Sequence, residues 1–557
     1  MSAPDLPARI GAGEARDLLP PAIRPLRAEM EAEWRRLGLH RGETLGEAIR
    51  RGAERFPDCK LVFHSDVRPS TLTLPALVAR AERVAAGWHR LGMREGDVIA
   101  IQMPNWAETA ISYAAAGLLG VVFVPIVQIY GPAEVGFILR QSRARALLVP
   151  TRFRRLDYSD GIGPLGELPD LDFFFTVGEG TPAGATDWGE LEAEPERPAP
   201  RPTRASGDTA AVIYTSGTTA EPKGVQHSSD SLVAELHLSP TPPPGVPGTV
   251  SLQPFPAGHT AGLCAMLGPI AHGYKTVMVD SWDAEVGVRL VAEHGVTAMA
   301  GTPFFIDTLL DAAAATGGDI SSLRFGITGG AGVPPSLIER ADAVGWRVAR
   351  CYGATEGPSM TAAEADDPLE KRSRRDGRPL PGNRIRIVDE GGAEVPTGQA
   401  GEIVAIGPEH FISYSDPEFN LEAFTADGWL RTGDVGVLDE DGYLTITDRR
   451  KDIIIRGGEN ISSKEVEDVL VEHPAVHAGA VTGIPDRRYG EIVCAFVVVE
   501  PGADLDLDSV REHFFAAGIA RQKTPERLVA VEELPRTAAG KVKKHELRAS
   551  LAESSGA

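Results

Sequence analysis

The sequence predicts an α/β fold that passes into α+β. A large N-terminal part holds two α/β subdomains and a small β-barrel, and a small α+β domain follows. Three observations predict this. Amphipathic helical stretches alternate with short apolar runs over residues 45–149 and again over 209–352, the pattern of parallel α/β structure. Over 380–449 the pattern changes to short strands among Gly-Asp and Asp-Gly turns, as in NRIRIVD, GEIVAIG and GYLTITD, which predicts an antiparallel barrel or sheet. Over 450–557, two helical segments flank one long apolar strand, EIVCAFVVVE. A chain of 557 residues is also too long for one simple core.

Taken in order, residues 1–44 read as an N-terminal extension packed on the main body, with a helix near 26–39. VARAERVAAGWHRLG reads as an amphipathic helix and VIAIQM as a buried strand. The most apolar stretch, 110–127, is barely long enough for a bilayer and carries Gly117, Gly120 and Pro125. It is expected to be a buried helix running into a buried strand, with no integral membrane association. Residues 178–208, rich in Pro, Gly, Glu and Ala, read as a linker. VSLQPF, KTVMVD, VTAMAG, RFGITGG and WRVARCYG supply the strands of the second α/β section. In the last section, EVEDVLVEHPAV and SVREHFFAAGI are the expected helices. The expected divisions are 1–44, 45–449 and 450–557.

Composition narrows the function. The balance of 42% hydrophobic and 24% charged residues is that of a globular protein. A net charge of -22 argues against nucleic acid or an anionic membrane as the main partner. Cys59, Cys264, Cys351 and Cys494 are far apart with no CxxC pair, so neither a metal cluster nor a disulfide framework is expected. A reducing cytoplasm suits them, and the first residues show no signal-peptide pattern.

The most informative segment is YTSGTTAEPKGV at 214–225, which leaves the apolar run AAVI. Thr215, Ser216, Thr218 and Thr219 supply hydroxyls, Gly217 and Gly224 permit close backbone approach, and Lys223 adds positive charge. Such a loop can surround an anion with N–H groups and hydroxyls. It is not a Walker A loop, since no Gly-Lys-Ser/Thr closes it. The formal GxGxxG at 161–166 encloses Pro164 without strand-to-helix context and reads as chance.

YTSGTTAEPKGV closely resembles the phosphate loop of the adenylate-forming superfamily: acyl- and aryl-CoA synthetases, beetle luciferases and peptide-synthetase adenylation domains. Further motifs follow in that family's order, from about residue 45 to Arg548. The resemblance makes Gly329, Gly330 and Ala331 an adenine-binding turn. In YGATEG it makes Tyr352 and Gly353 an adenine platform, Thr355 an α-phosphate contact and Glu356 a magnesium ligand, with Thr219 as a second metal contact. Mg²⁺ held by a carboxylate plus phosphates is ordinary chemistry for that ion. Asp434 in RTGD resembles the ribose-binding aspartate, Arg449 a second ribose and phosphate contact, and Lys451 the hinge. Gly457, Gly458, Glu459 and Asn460 resemble the loop that swings in on the coenzyme A side.

Lys541, in LPRTAAGKVKKHELR, matches the catalytic lysine. Residues 521–548 carry eight Lys/Arg against four Glu, which suits polyanionic ATP, pyrophosphate and coenzyme A. PFPAGHTAG at 254–262 resembles the gate motif, with His259 as the gate. Amino-acid-activating relatives place Asp after the gate; here Thr260 stands there, so no free α-amino acid is expected. The acyl pocket is expected among residues 260–264, with Thr260, Gly262 and Cys264, at Phe304 or Phe305, among residues 329–332, with Gly329, and at Gly353 and Ala354. These residues offer no partner for a second carboxylate.

The implied activity is ATP-dependent ligation of a hydrophobic monocarboxylic acid to coenzyme A through an acyl-adenylate. Magnesium is the cofactor, and the small C-terminal domain rotates between half-reactions. No fused carrier domain follows Leu547, which favours free coenzyme A over a carrier protein. Other acceptors, including nitrite in diazotisation, stay open. A noncatalytic relative would have lost Lys541, Glu356 or Asp434, and all three are present.

Overall fold

A computed structural model describes residues 14–215, 222–239, 246–449, 452–456, 459–486, 489–517, 521–537 and 540–554. Among these, nine strands form one sheet. Lys60–His64, Lys275–Val279, Val250–Gln253, Ala298–Gly301, Phe325–Thr328 and Arg347–Ala354 run parallel, and antiparallel strands close both edges. Eight strands form a second sheet. Its parallel centre runs through Thr209–Tyr214, Val122–Pro125, Val98–Ile101, Ala146–Pro150 and Phe173–Val177. Gly224–Ser228 and Ser413–Tyr414 extend it antiparallel. All five predicted strands of the second α/β section are present.

The apolar stretch at 110–127 forms the helix Ala107–Leu119 and the strand Val122–Pro125, both buried. The helix stops at Gly120, whose φ of 76° suits a left-handed cap. It lies within the largest apolar core, between Leu74–Leu91 and Leu45–Arg55. No helix among the described residues is long and apolar enough to cross a membrane. The GxGxxG at 161–166 falls on a short 3₁₀ turn, Gly163–Leu165.

The expected small barrel is instead an open antiparallel sheet of four strands, Arg384–Val388, Gly401–Ile406, Leu430–Leu438 and Leu444–Arg449. Four strands are too few to enclose an interior, and closure is not needed because other elements cover the apolar face. Ile387, Ile403, Leu430 and Leu444 pack with Leu19, Ile23, Phe411 and Phe424. The N-terminal segment is thus part of this core. Its helix Ile23–Arg36 buries Trp34, and Arg27 donates to the carbonyl of Phe411 at 2.7 Å.

The C-terminal sheet centres on Gly490–Val499, flanked by Val476–Asp486 and, in parallel, by Arg527–Ala530. Val493, Ala495 and Val497 face the helices Ser463–Leu470 and Leu507–Ala516 through Val466, Leu470, Val510 and Phe514. Cys494 and Phe496 face Leu534, Leu547 and Leu551 on the other side. The strict alternation along Gly490–Val499 puts it in the middle of two layers.

Candidate functional site

The phosphate-loop candidate begins where Thr209–Tyr214 leaves the second sheet and ends at Gly224–Ser228. The Thr215 N–H donates to the Lys223 carbonyl at 3.0 Å and ties the loop's base. Ser216, Gly217, Thr218 and Thr219 lie outside the described residues. The Lys223 ammonium stands 5.1 Å from the Tyr414 ring centroid and 4.5 Å from that of Phe419, a cation–π setting that holds the charge beside the loop.

Strand Arg347–Ala354 carries the next group. The Tyr352 hydroxyl donates to Asp434 Oδ2 at 2.7 Å. Asp434 is buried on Leu430–Leu438, and in the ladder it pairs with Arg449. The first sheet and the four-stranded sheet therefore meet at this hydrogen bond. The ion pair between the buried Arg350 and Asp376 reinforces the junction, since Asp376 also accepts from the Ile446 N–H at 2.8 Å.

The turn after Ala354 is held from three sides. The Thr355 carbonyl lies 2.8 Å from His227 Nε2, so this nitrogen carries the proton. Burial pushes the His227 pKa down to about 4, and the ring is neutral near pH 7. The Glu356 carbonyl accepts from the Phe411 N–H at 2.8 Å, and its carboxylate accepts from the Tyr414 hydroxyl at 2.6 Å. Burial first, and then the Glu356 charge, push the Tyr414 pKa far up, so Tyr414 stays a donor.

Lys541 arrives from the small domain. Arg536 and Val542 pair across a tight turn, Arg536 donates to the Gly540 carbonyl at 2.8 Å, and the Lys541 N–H donates to Thr537 Oγ1 at 3.1 Å. Gly540 has φ +81°; a Cβ there would stand 2.9 Å from Thr302 Oγ1 and 3.0 Å from Phe304 Cβ. The turn can dock this closely only because residue 540 has no side chain. Gly330 has φ +76°, and the Lys541 Cε lies 3.5 Å from where a Cβ on Gly330 would be. The lysine thus lies directly over the expected adenine turn, next to the exposed Ala331.

His259 caps the helix Thr260–Leu267, its Nδ1 accepting from the Ala261 N–H at 3.3 Å. Its ring stacks on Phe255 with centroids 6.3 Å apart, and Phe255 meets Phe305 edge-on at 5.6 Å. Enclosure, and secondly the Lys541 charge, push the His259 pKa down to about 4. Gly262 in the first turn of that helix backs onto the Pro256 carbonyl, and Gly353 onto that of Pro358. Phe304 is 38% exposed and faces Gly540, whereas Phe305 is 2% exposed and packs on Phe255 and Trp282. Phe305 is thus packed inside, and Phe304 stands at the seam with the Gly540 turn.

Lys451, Gly457 and Gly458 lie outside the described residues. Glu459 and Asn460 belong to Glu459–Ile461, which pairs with Ile454–Arg456. Of the two magnesium candidates Glu356 is described, and Thr219 lies outside the described residues. Among the described residues no group of three His, Cys, Asp or Glu could hold a metal. A single oriented carboxylate fits an ion bound largely through nucleotide phosphates. Reading the sequence did not find Tyr414, His227, Thr302 or Arg536. Tyr414 sits in the strand that pairs with Gly224–Ser228, and that long-range pairing, together with the Phe411 N–H on the Glu356 carbonyl, brings it to Glu356.

The AMP-binding enzyme family matches residues 49–415, and its AMP-binding enzyme C-terminal domain matches 465–541. The chain is 33% identical over 528 residues to a medium-chain fatty-acid–CoA ligase of Escherichia coli (strain K12), covering 94% of this chain and 93% of that one. It is 33% identical over 540 residues to a salicylyl-CoA synthase / salicylate adenylyltransferase of a Streptomyces species, covering 94% and 96%. Among solved structures, the amide bond synthetase McbA of Marinactinospora thermotolerans superposes with a TM-score of 0.80 at 28% identity, covering 91% of this chain and 100% of that one. The o-succinylbenzoate coenzyme A synthetase of Bacillus subtilis, in complex with AMP, gives 0.76 at 28%, covering 90% and 98%. Tyr352 bonded to Asp434 and a small domain that lays Lys541 on Gly330 complete the case: the chain belongs to the AMP-binding, adenylate-forming enzymes, in their ATP-dependent acyl- and aryl-CoA ligase family.

Proposed function

We propose that this enzyme joins a monocarboxylic acid to coenzyme A by way of an acyl-adenylate, releasing pyrophosphate and then AMP. The observation that carries the reading is the docking of the Gly540–Lys541 turn against Thr302 and Gly330, which supports Lys541 as the residue that meets the carboxylate and the α-phosphate. In the first half-reaction the carboxylate oxygen attacks the α-phosphorus in line and pyrophosphate leaves. Lys541 neutralises negative charge on the oxygens of both partners as it spreads in the transition state. Asp434 and Arg449 take the ribose, Tyr352 the adenine, and Thr215 with Lys223 the phosphates, together with Ser216, Gly217, Thr218 and Thr219. Thr355 faces the α-phosphate, held through its carbonyl by His227. A magnesium ion at Glu356 and Thr219 would offset phosphate charge; Tyr414 aims the Glu356 carboxylate.

In the second half-reaction the small domain turns about Lys451. Lys541 withdraws, and Gly457, Gly458, Glu459 and Asn460 come to the site. A thiol passes His259 and attacks the acyl carbonyl, and AMP leaves. One site thereby serves two reactions, with closure excluding water from the reactive adenylate. The relatives that act on fatty, aryl and other acids as coenzyme A ligases support this acceptor. The proposed compartment is the cytoplasm, in keeping with four unpaired thiols.

Mass spectrometry of the enzyme with ATP, Mg²⁺ and a panel of monocarboxylates, with and without coenzyme A, tests the proposal. AMP together with an acyl-CoA mass is expected. AMP or acyl-adenylate with no thioester would overturn the acceptor and direct the next assays to a carrier protein, an amine or nitrite.

A further inference from the structure

The helix Ser229–Leu238 runs behind the expected acyl pocket and contacts both Thr260–Leu267 and Gly357–Ala362. It carries Glu235, which is 2% exposed. Glu235 Oε1 accepts from Ser359 Oγ at 2.8 Å, while Oε2 is fully buried with no hydrogen-bond partner among the described residues. A buried carboxyl oxygen without a partner is costly, and a binding site is one place where such a cost is recovered.

Its neighbours place it at the pocket. The Glu235 charge acts on the thiols of both Cys264 and Cys351. Cys264 lies one helical turn after Thr260, on the same face of Thr260–Leu267. Cys351 fills the space where Gly329 has no side chain, its Sγ 2.7 Å from a Cβ built there. Thr260 and Gly329 are both expected pocket residues, so Glu235 lies behind this part of the expected pocket. Thr260 Oγ1 is likewise buried and unpartnered. The pocket is therefore not wholly apolar.

Resting on the adenylation reading above, we infer that Glu235 determines specificity at the blind end of the acyl pocket. It takes a hydrogen bond from a hydroxyl or amino group at the end of the acid remote from its carboxylate. Burial raises the Glu235 pKa to about 7, so its neutral form can both donate and accept. A second carboxylate is disfavoured there. Glu409, 0% exposed and electrostatically coupled to Glu235, already makes the region acidic.

The test measures AMP formation for wild type, Glu235→Gln and Glu235→Leu. Its probes are paired acids: C6–C10 alkanoates against their ω-hydroxy and ω-amino counterparts, benzoate and cinnamate against their para-hydroxy and para-amino forms, and α,ω-dicarboxylates. Wild type is expected to favour a donor-bearing member over its unsubstituted pair by roughly 10- to 100-fold in kcat/KM and to reject the dicarboxylates. Glu235→Leu is expected to abolish or reverse that ratio while still forming AMP from an unsubstituted acid. Equal ratios in wild type and Glu235→Leu, with AMP still formed, would overturn the inference alone and leave a buried water as the partner of Oε2. AMP from no acid in any of the three proteins would overturn the adenylation reading and this inference with it.

Discussion

Tyr352 and Asp434 lie 82 residues apart in the chain and are joined by a 2.7 Å hydrogen bond at the junction of two sheets. The bond fixes the aspartate's orientation before any nucleotide arrives. Preorganised acceptors cost less to use than acceptors that must first be ordered. Asp434→Ala should raise KM for ATP by about 10- to 100-fold, the range for losing charge-assisted hydrogen bonds. Tyr352→Phe keeps the ring and should raise it by only about 2- to 10-fold. Pyrophosphate exchange against ATP concentration gives both values; equal effects from the two variants would count against separate roles.

The docked turn yields a prediction specific to one half-reaction. Lys541→Ala should slow acyl-adenylate formation by about 100-fold or more, as losing a transition-state donor does, while synthetic acyl-adenylate is still converted to thioester. Gly540→Ala should act in the same direction without touching the lysine. Its φ of +81° strains any L side chain, and the new methyl group would meet Thr302 and Phe304. An expected loss of about 10-fold or more in adenylation, with thioester formation intact, would show that turn docking is needed for the first step. Equal loss in both steps would show a general defect.

The sheet strands and the main helices were legible in the sequence because their periodicity is local. VSLQPF and RFGITGG are apolar runs too short for helices, bounded by turn residues. The barrel was not legible. Whether four strands close depends on what covers their apolar face, and here Leu19 and Ile23 come from the far end of the chain. The same limit applies at the site. Lys541 and Asp434 sit in motifs that resemblance identifies, but Tyr414 and His227 act on Glu356 and Thr355 through pairing across 58 and 128 residues. Glu235 gave no signal because one acidic residue in a helical stretch reads as solvent-facing until its burial is known.

Stability should depend on pH through a buried acid, Glu409, to which the proposed mechanism gives no role. Burial, then repulsion from Glu235, raises the Glu409 pKa to about 8, against an opposing hydrogen bond from Asn383. The His410 ring stands 3.8 Å from it, and the pKa of that ring is pushed down by burial and then by the charge of Arg27. A folded pKa above the unfolded value of 4.5 means the native state binds more protons between about pH 4.5 and 8. This group's contribution is therefore full below that window and is lost as pH rises through it. Glu409→Gln stays neutral throughout. Its melting temperature relative to wild type should rise steadily from pH 5 to pH 8; a constant difference would mean that Glu409 does not titrate in this range.

His259 gives a prediction in which pH and selectivity separate. Its enclosure and the nearby Lys541 hold it neutral down to about pH 4, and its Nδ1 caps the helix Thr260–Leu267. Because the folded pKa lies below the usual 6.5, protonation should not interrupt the thiol step between pH 5 and 8. Thioester formation from synthetic acyl-adenylate should therefore show no inflection near 6.5 that disappears in His259→Ala; such an inflection would mean the ring titrates normally. On the proposed gate role, removing the ring that stacks on Phe255 should also open a passage to the adenylate. His259→Ala should keep adenylation within a few-fold of wild type and let water compete with the thiol. More AMP should form per thioester, measured as the ratio of the two products at saturating coenzyme A. An unchanged ratio would show that His259 serves only as a helix cap.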